Sequence, residues 1–349
     1  MRHSAHMVLR SIGGLTAGVV ALAIGPFASA GPLDPALVDG RSKWVVHMDM
    51  EAARASSVGA YLDATPEPDA TAMLAQVQAQ FGIDPSKDVL GITVFGGEPT
   101  ERDGVAVVEM TAAADALSAS LPAAGFPDFA PVVFADSTGL TEGSAWRWRM
   151  DGRTWFVGRV NAGDRRLVLL APSEARLSDS MRRVLDRTGS LASSAVSAPE
   201  RGSILFVSAR GLGEASEFRP NAAVFKLAED IFVDVRETGS GEGGGTLNAT
   251  VRVETRSGEA AVQMQQMLQG VLAFSTLAAA DDAELAKQMR AWTSSLQMTT
   301  EGKTFTLRMA QRSEDLIRMI RVLRAKEPKP PGEAASAEPA PGGSGPPGK

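Results

Sequence analysis

One order of elements runs twice along this chain, and that recurrence restricts the fold more than any composition figure. The first pass opens with a strand-like run at 44–50. Helical material follows, ending in 69–81, where Met73, Leu74, Val77 and Phe81 share one face and Gly82 supplies the stop. Residues 89–95 and 105–110 read as two strands, with Asp103-Gly104 marking the reversal, and Thr111 caps a short helix to Leu121. Residues 145–150 and 154–160 form a hairpin across Asp151-Gly152, a dipeptide suited to positive φ. A further strand, 167–171, leads into a helix capped by Ser173 that turns Leu177, Met181, Val184 and Leu185 inward. Arg182, Arg183 and Arg187 sit toward its C-terminal dipole end.

The second pass repeats this with a strand at 204–209, a helix at 222–230, and strands at 232–237 and 246–255. A helix at 258–277 carries Met264, Met267, Leu268 and Val271 on one face, and a polar helix covers 281–292. The hairpin 296–300/304–310 turns at Glu301-Gly302, and Ser313 caps a last helix with an apolar stripe of Leu316, Met319, Ile320 and Leu323. Asp151-Gly152-Arg153-Thr154-Trp155 aligns with Glu301-Gly302-Lys303-Thr304-Phe305, and Ser-Glu opens the next helix in both passes. The spacing predicts an α+β protein of two similar halves, 43–190 and 201–325, related by internal duplication. Each half is β-α-β-β-α-β-β-α, an antiparallel-rich sheet with helices packed on one face. How the halves pack against each other is not written in the pattern.

The ends read differently. Arg2 and Arg10 precede an apolar stretch at 12–27 that is broken by Gly25-Pro26, and Ala28-Ser29-Ala30 offers small residues at −3 and −1. This is the layout of a signal peptide over 1–30, with cleavage after Ala30 and a periplasmic or secreted destination. Residues 31–42 are expected to be a short linker. Residues 326–349, rich in Pro, Gly and Ala, cannot offset their ordering entropy and are expected to be a disordered tail. With no cysteine, the fold has no disulfide and no thiolate-bound metal. The leader holds two arginines and no acid, so its removal takes the net charge from −6 to about −8. With a pI near 5.3 this argues against nucleic acid as partner. No later apolar run is long enough to span a membrane.

The layout resembles uncharacterised exported bacterial proteins with a signal peptide and a duplicated α+β region. The resemblance rests on Trp44-Val45-Val46-His47-Met48-Asp49, on Phe81-Gly82-Ile83-Asp84 and on the Asp-Gly hairpins. It covers roughly residues 43–325 and implies no activity, so it transfers no catalytic residue.

Motifs for chemistry are sparse. His47 is the sole histidine after the leader, and strand alternation puts it on one face with Val45 and Asp49. Such a pair suits proton transfer or one end of a metal site, but also a hydrogen-bonded structural histidine. A single His cannot build the common multi-His metal sites, and no Gly-x-Ser-x-Gly elbow occurs. Residues 239–244 match a dinucleotide fingerprint in spacing, yet they join two strands rather than a strand to a helix. Asp281, Asp282 and Glu284 lack calcium-loop spacing and suit the start of a helix. The sequon Asn248-Ala249-Thr250 falls inside a strand. Trp146 and Trp148 share one strand face with Met150, either as an exposed ladder for a partner or as sheet core. Met264, Met267, Met289, Met298, Met309 and Met319 make the second half methionine-rich.

No catalytic, cofactor or metal residue is assigned. The binding candidates are Trp146, Trp148, His47 and Asp49. The expectation is a non-enzymatic, exported binding or envelope-associated protein whose partner is a protein, a polysaccharide or an apolar ligand. The alternatives are a carrier of an apolar ligand such as lipid, and a carboxylate-based hydrolase of envelope polymers.

Overall fold

A computed structural model describes residues 33–97, 103–134, 144–150, 152–163, 165–189, 199, 202–211, 227–239, 244–278 and 283–325. The leader, the tail, Asp281, Asp282 and most of the helix expected at 222–230 lie outside these residues. The last residues of that helix, from Ala228 on, are instead part of a strand.

The first half runs β1 (Trp44–Asp49), α1 (Met50–Ala55), α2 (Ser57–Ala64), α3 (Pro68–Phe81), α4 (Pro85–Asp88), β2 (Val89–Gly96) and β3 (Val105–Met110). A 3-10 turn (Ala112–Ala116), α5 (Leu117–Ala123), β4 (Ala130–Pro131), β5 (Ala145–Met150), β6 (Arg153–Ala162), β7 (Arg165–Ala171) and α6 (Glu174–Asp186) follow. The second half comprises β8 (Ser203–Arg210), β9 (Ala228–Thr238), β10 (Thr246–Thr255), α7 (Gly258–Ala278), α8 (Ala283–Ser294), β11 (Leu296–Glu301), β12 (Thr304–Arg312) and α9 (Ser313–Ala325). Caps set the boundaries. The Asp49 carboxylate ends β1 by accepting the Glu51 and Ala52 amides at 3.0 and 2.9 Å. Ser56 caps α2, Asp84 caps α4 with Pro85 at its first position, and Ser173 caps α6. Gly82 closes α3 at φ 70°, a left-handed conformation that costs glycine little.

All twelve strands join one antiparallel sheet in the order β11-β12-β10-β9-β8-β1-β2-β3-β7-β6-β5-β4. The halves therefore meet edge to edge, with β1 paired to β8 through Val46↔Val207 and His47↔Phe206. Counted outward from this seam, β1-β2-β3-β7-β6 on one side matches β8-β9-β10-β12-β11 on the other, and β5 and β4 extend the first half alone. The hairpin in the place of β11/β12 is thus β6/β7, turning at Gly163, rather than the Gly152 hairpin expected from the dipeptide match. Gly163 precedes Ser173 by ten positions and Gly302 precedes Ser313 by eleven. A shared dipeptide reports turn chemistry, and turn chemistry recurs wherever φ is positive.

Helices do not keep to one face in the first half. On the face of Val45, Phe95, Val107 and Leu169 lie Leu177, Met181 and Val184 of α6, together with Leu33, Leu37 and Val38. A Cβ built on Gly158 would stand 2.3 Å from Met181 Sδ, so α6 rests directly on the β6 backbone. The opposite face is filled by Met110, Val157, Val168 and the tryptophans, under Ile83, Ala114, Leu117 and Leu121. In the second half Val253 and Phe305 pack under Ala261 and Met264 of α7 on that same opposite face.

The stretch expected as a linker belongs to the body. Asp34 accepts from Arg187 at 3.0 Å, and the buried Asp39 carboxylate lies within 3.1–3.5 Å of Arg41, Arg183 and Arg176. These contacts strap residues 33–41 onto α6. They are the role of Arg183 and Arg187, beyond any helix-dipole effect.

Candidate functional site

The pairing register determines which polar side chains meet. Across β1, β2 and β3, Asp49 lies opposite Gly91 and Gly91 opposite Glu109, while His47 lies opposite Thr93 and Thr93 opposite Val107. All point to the α6-bearing face. His47 and Asp49 are therefore together as alternation requires, and Glu109 joins them from two strands away. Glu109 is held in turn by Arg165 of β7 at 2.6 Å.

His47 and Glu109 are each 1% exposed and Asp49 is 5% exposed. His47 Nδ1 meets Thr93 Oγ1 at 2.9 Å, while Nε2 has no hydrogen-bond partner. Glu109 uses Oε2 for Arg165, and its Oε1 is likewise unpartnered. Burial lowers the His47 pKa to about 4, which keeps the ring neutral near pH 7. Burial raises Asp49 to about 6 against the pull of its two amide donors. Burial also raises Glu109, with the Arg165 charge and hydrogen bond opposing. Two acids and an imidazole are the groups that general acid–base chemistry uses. Here they are sealed in the core, with Arg165 the one partly exposed member. Among the described residues no three His, Asp or Glu side chains are placed to hold a metal ion.

Glu109 and Arg165 were missed in the sequence, although one signal was present. Along β3 the inward positions read Val105, Val107, Glu109, and a carboxylate in an apolar row needs a partner.

Trp146 and Trp148 belong to another place. They are 5% and 6% exposed on the opposite face of β5, Trp148 lies across from Trp155, and Phe126 stacks on Trp148 at 5.7 Å. This is sheet core, and the ladder does not face solvent. A depression lined by Trp292, Gln311, Asp315, Leu316 and Met319 has room for about one water.

A second surface is open. In the second half the face that α6 covers in the first carries Asp230, Phe232, Asp234 and Arg236 on β9, and Asn248, Thr250, Arg252 and Glu254 on β10. It continues with Thr304, Thr306 and Arg308 on β12, and with Gln297 and Thr299 on β11. Arg252, Arg308, Gln297 and Thr299 are exposed, and the Arg252 guanidinium lies over the Phe232 ring at 4.9 Å. Comparison of the chain with protein families, with characterised proteins and with solved structures finds no match.

Proposed function

We propose that this is an exported, non-enzymatic binding protein, released from its leader after Ala30, that seats an anionic envelope polysaccharide on the open face of β9-β10-β12-β11. One observation carries the reading: a single sheet face is roofed by α6 over the first half, whereas over the second it exposes Arg252, Arg308, Gln297 and Thr299, and the acids Asp230, Asp234 and Glu254 on that face are engaged by Arg210, Arg236 and the Thr304 hydroxyl. Strands about 4.8 Å apart present these groups as a flat array suited to an extended polymer. Guanidinium forks recognise carboxylate or phosphate, and hydroxyls and amides match sugar hydroxyls. The acids of the buried cluster, Asp49 and Glu109, are 5% and 1% exposed, which supports the binding reading over the hydrolase alternative.

The test is co-sedimentation of the full chain with an acidic and with a neutral envelope polysaccharide. Binding to the acidic polymer that weakens with salt, and falls at least several-fold in an Arg252→Ser/Arg308→Ser chain, is expected. Equal binding by both chains, or none by either, overturns the proposal.

The carrier of an apolar ligand stands as a second reading because Met267, Phe274 and Leu277 are exposed on α7. Native mass spectrometry on detergent-free protein decides it through a co-purifying lipid mass. We further read the two sides of the seam as copies of one ancestral unit, supported by their common strand order. Superposing β1-β2-β3-β7-β6 on β8-β9-β10-β12-β11 tests this, and failure to align the Gly163 and Gly302 turns rejects it.

A further inference from the structure

We propose that the space over Gly91 is a binding site for a single water molecule, held between His47 Nε2 and Glu109 Oε1. Three independent features converge on it. Both atoms belong to side chains 1% exposed, and both lack a hydrogen-bond partner. Buried polar atoms are satisfied in the great majority of folded proteins, by protein or by ordered water. Gly91 lies between the two side chains. A Cβ placed on it would stand 3.6 Å from His47 Cε1, 3.6 Å from the Met48 carbonyl oxygen and 3.7 Å from Glu109 Oε1, at ordinary contact distance. The His47 ring that bears Nε2 and the Glu109 Oε1 atom thus both border the position that a side chain at 91 would take.

The chemistry of the walls selects the occupant. When Nδ1–H of His47 donates to Thr93, Nε2 is an acceptor like the Glu109 oxygen, and the bridging species must donate twice. When the Thr93 hydroxyl donates to Nδ1, Nε2–H is a donor and the bridge must accept once and donate once. Water does both. Ammonium does only the first, and Arg165 already balances the Glu109 charge. A metal ion would need more ligands than the described residues bring together. The inference concerns the core of the first half and does not depend on what the open face binds.

The experiment is water-selective magnetisation transfer to the ring protons of His47 in the full chain, whose other histidines are His3 and His6. The His47 signal is identified by its loss in His47→Asn. A cross-peak from a long-lived water is expected in the wild type. It should vanish in Gly91→Ala, whose methyl group takes the space, with the circular dichroism of the sheet retained. No cross-peak in the wild type overturns the proposal, and this arm needs no variant, so a Gly91→Ala chain that fails to fold leaves the test standing. A cross-peak that persists in folded Gly91→Ala also overturns it, because it is then relayed through an exchanging proton such as the Thr93 hydroxyl.

Discussion

Asp39 shows how one side chain can hold a terminus in place. Burial pushes its carboxyl up, yet the hydrogen bonds from Arg41 and the charges of Arg183 and Arg41 outweigh this and hold it below the usual range. Asp39→Asn leaves Arg183 and Arg176 facing a neutral amide. The expected loss is about 2–3 kcal/mol, the scale of a charge-assisted hydrogen bond in a partly buried site, read from the urea midpoint. Because the folded pKa is lowered, this contribution is present above the unfolded value and disappears as pH falls through the folded one. The His47–Asp49 pair behaves differently. His47 binds its proton less readily in the folded state, so its contribution to stability rises with pH between about 4 and its unfolded value of 6.5. Asp49 binds its proton more readily, so its contribution falls as pH rises from its unfolded value of 3.8 to about 6. The two slopes oppose each other over most of that window. In His47→Asn the raised Asp49 and Glu109 act together, and denaturant midpoints should decline as pH rises from 4 to 6 more steeply than in the wild type. In Asp49→Asn, which retains an oxygen for the cap, the slope should turn more positive than in the wild type, with Glu109 still opposing His47. Identical slopes in both variants would refute the assignment.

At the scale of elements, what could be read from the sequence was whatever is decided within a few residues. The caps Ser173 and Thr111, the stop at Gly82 and the alternation of β1 were legible, because each is a local hydrogen bond or a two-residue period. Helix faces were less so. Leu185 was expected inward beside Val184 but is 39% exposed, since a periodic stripe does not say how wide the covering surface is. The fully buried positions of α7, Ala260, Ala261 and Met264, all lie in its first third, so Met267 and Val271 are exposed although their spacing fits the stripe. The cluster was half legible. His47 and Asp49 sit in one strand, whereas Glu109 and Arg165 arrive by register, which no local period contains. The contact of α6 with β6 is another non-local product, and Gly158 is its key. Gly158→Val would drive Met181 and Leu177 off the strand, at a cost of about 1–3 kcal/mol, seen as a lower thermal midpoint with the fold retained.

For the whole molecule, a sheet of twelve strands has a centre and two rims. The seam strands β1 and β8 are hydrogen-bonded on both sides, whereas β4 and β11 each have one neighbouring strand among the described residues. The β4 rim is two residues long and contains Pro131, which cannot donate to a neighbour. Native-state hydrogen exchange should therefore be slowest in β1, β2 and β3 and fastest in β11. Uniform protection across the sheet would show that the two halves open as one unit. The edge-to-edge joining of the halves could not have been read from either half, because the β1–β8 pairing is a non-local register that no local period contains.

The seam also orders events in time. β1 is the first strand of the described residues in chain order, and its partner on one side is complete at residue 96, but β8 ends only at Arg210. Wherever the chain emerges N-terminus first, Val45 to Met48 therefore stay a sticky, half-dressed border for more than a hundred residues. Such a border invites mispairing with a neighbouring chain, so a chaperone that holds extended segments is most useful to this protein in that interval.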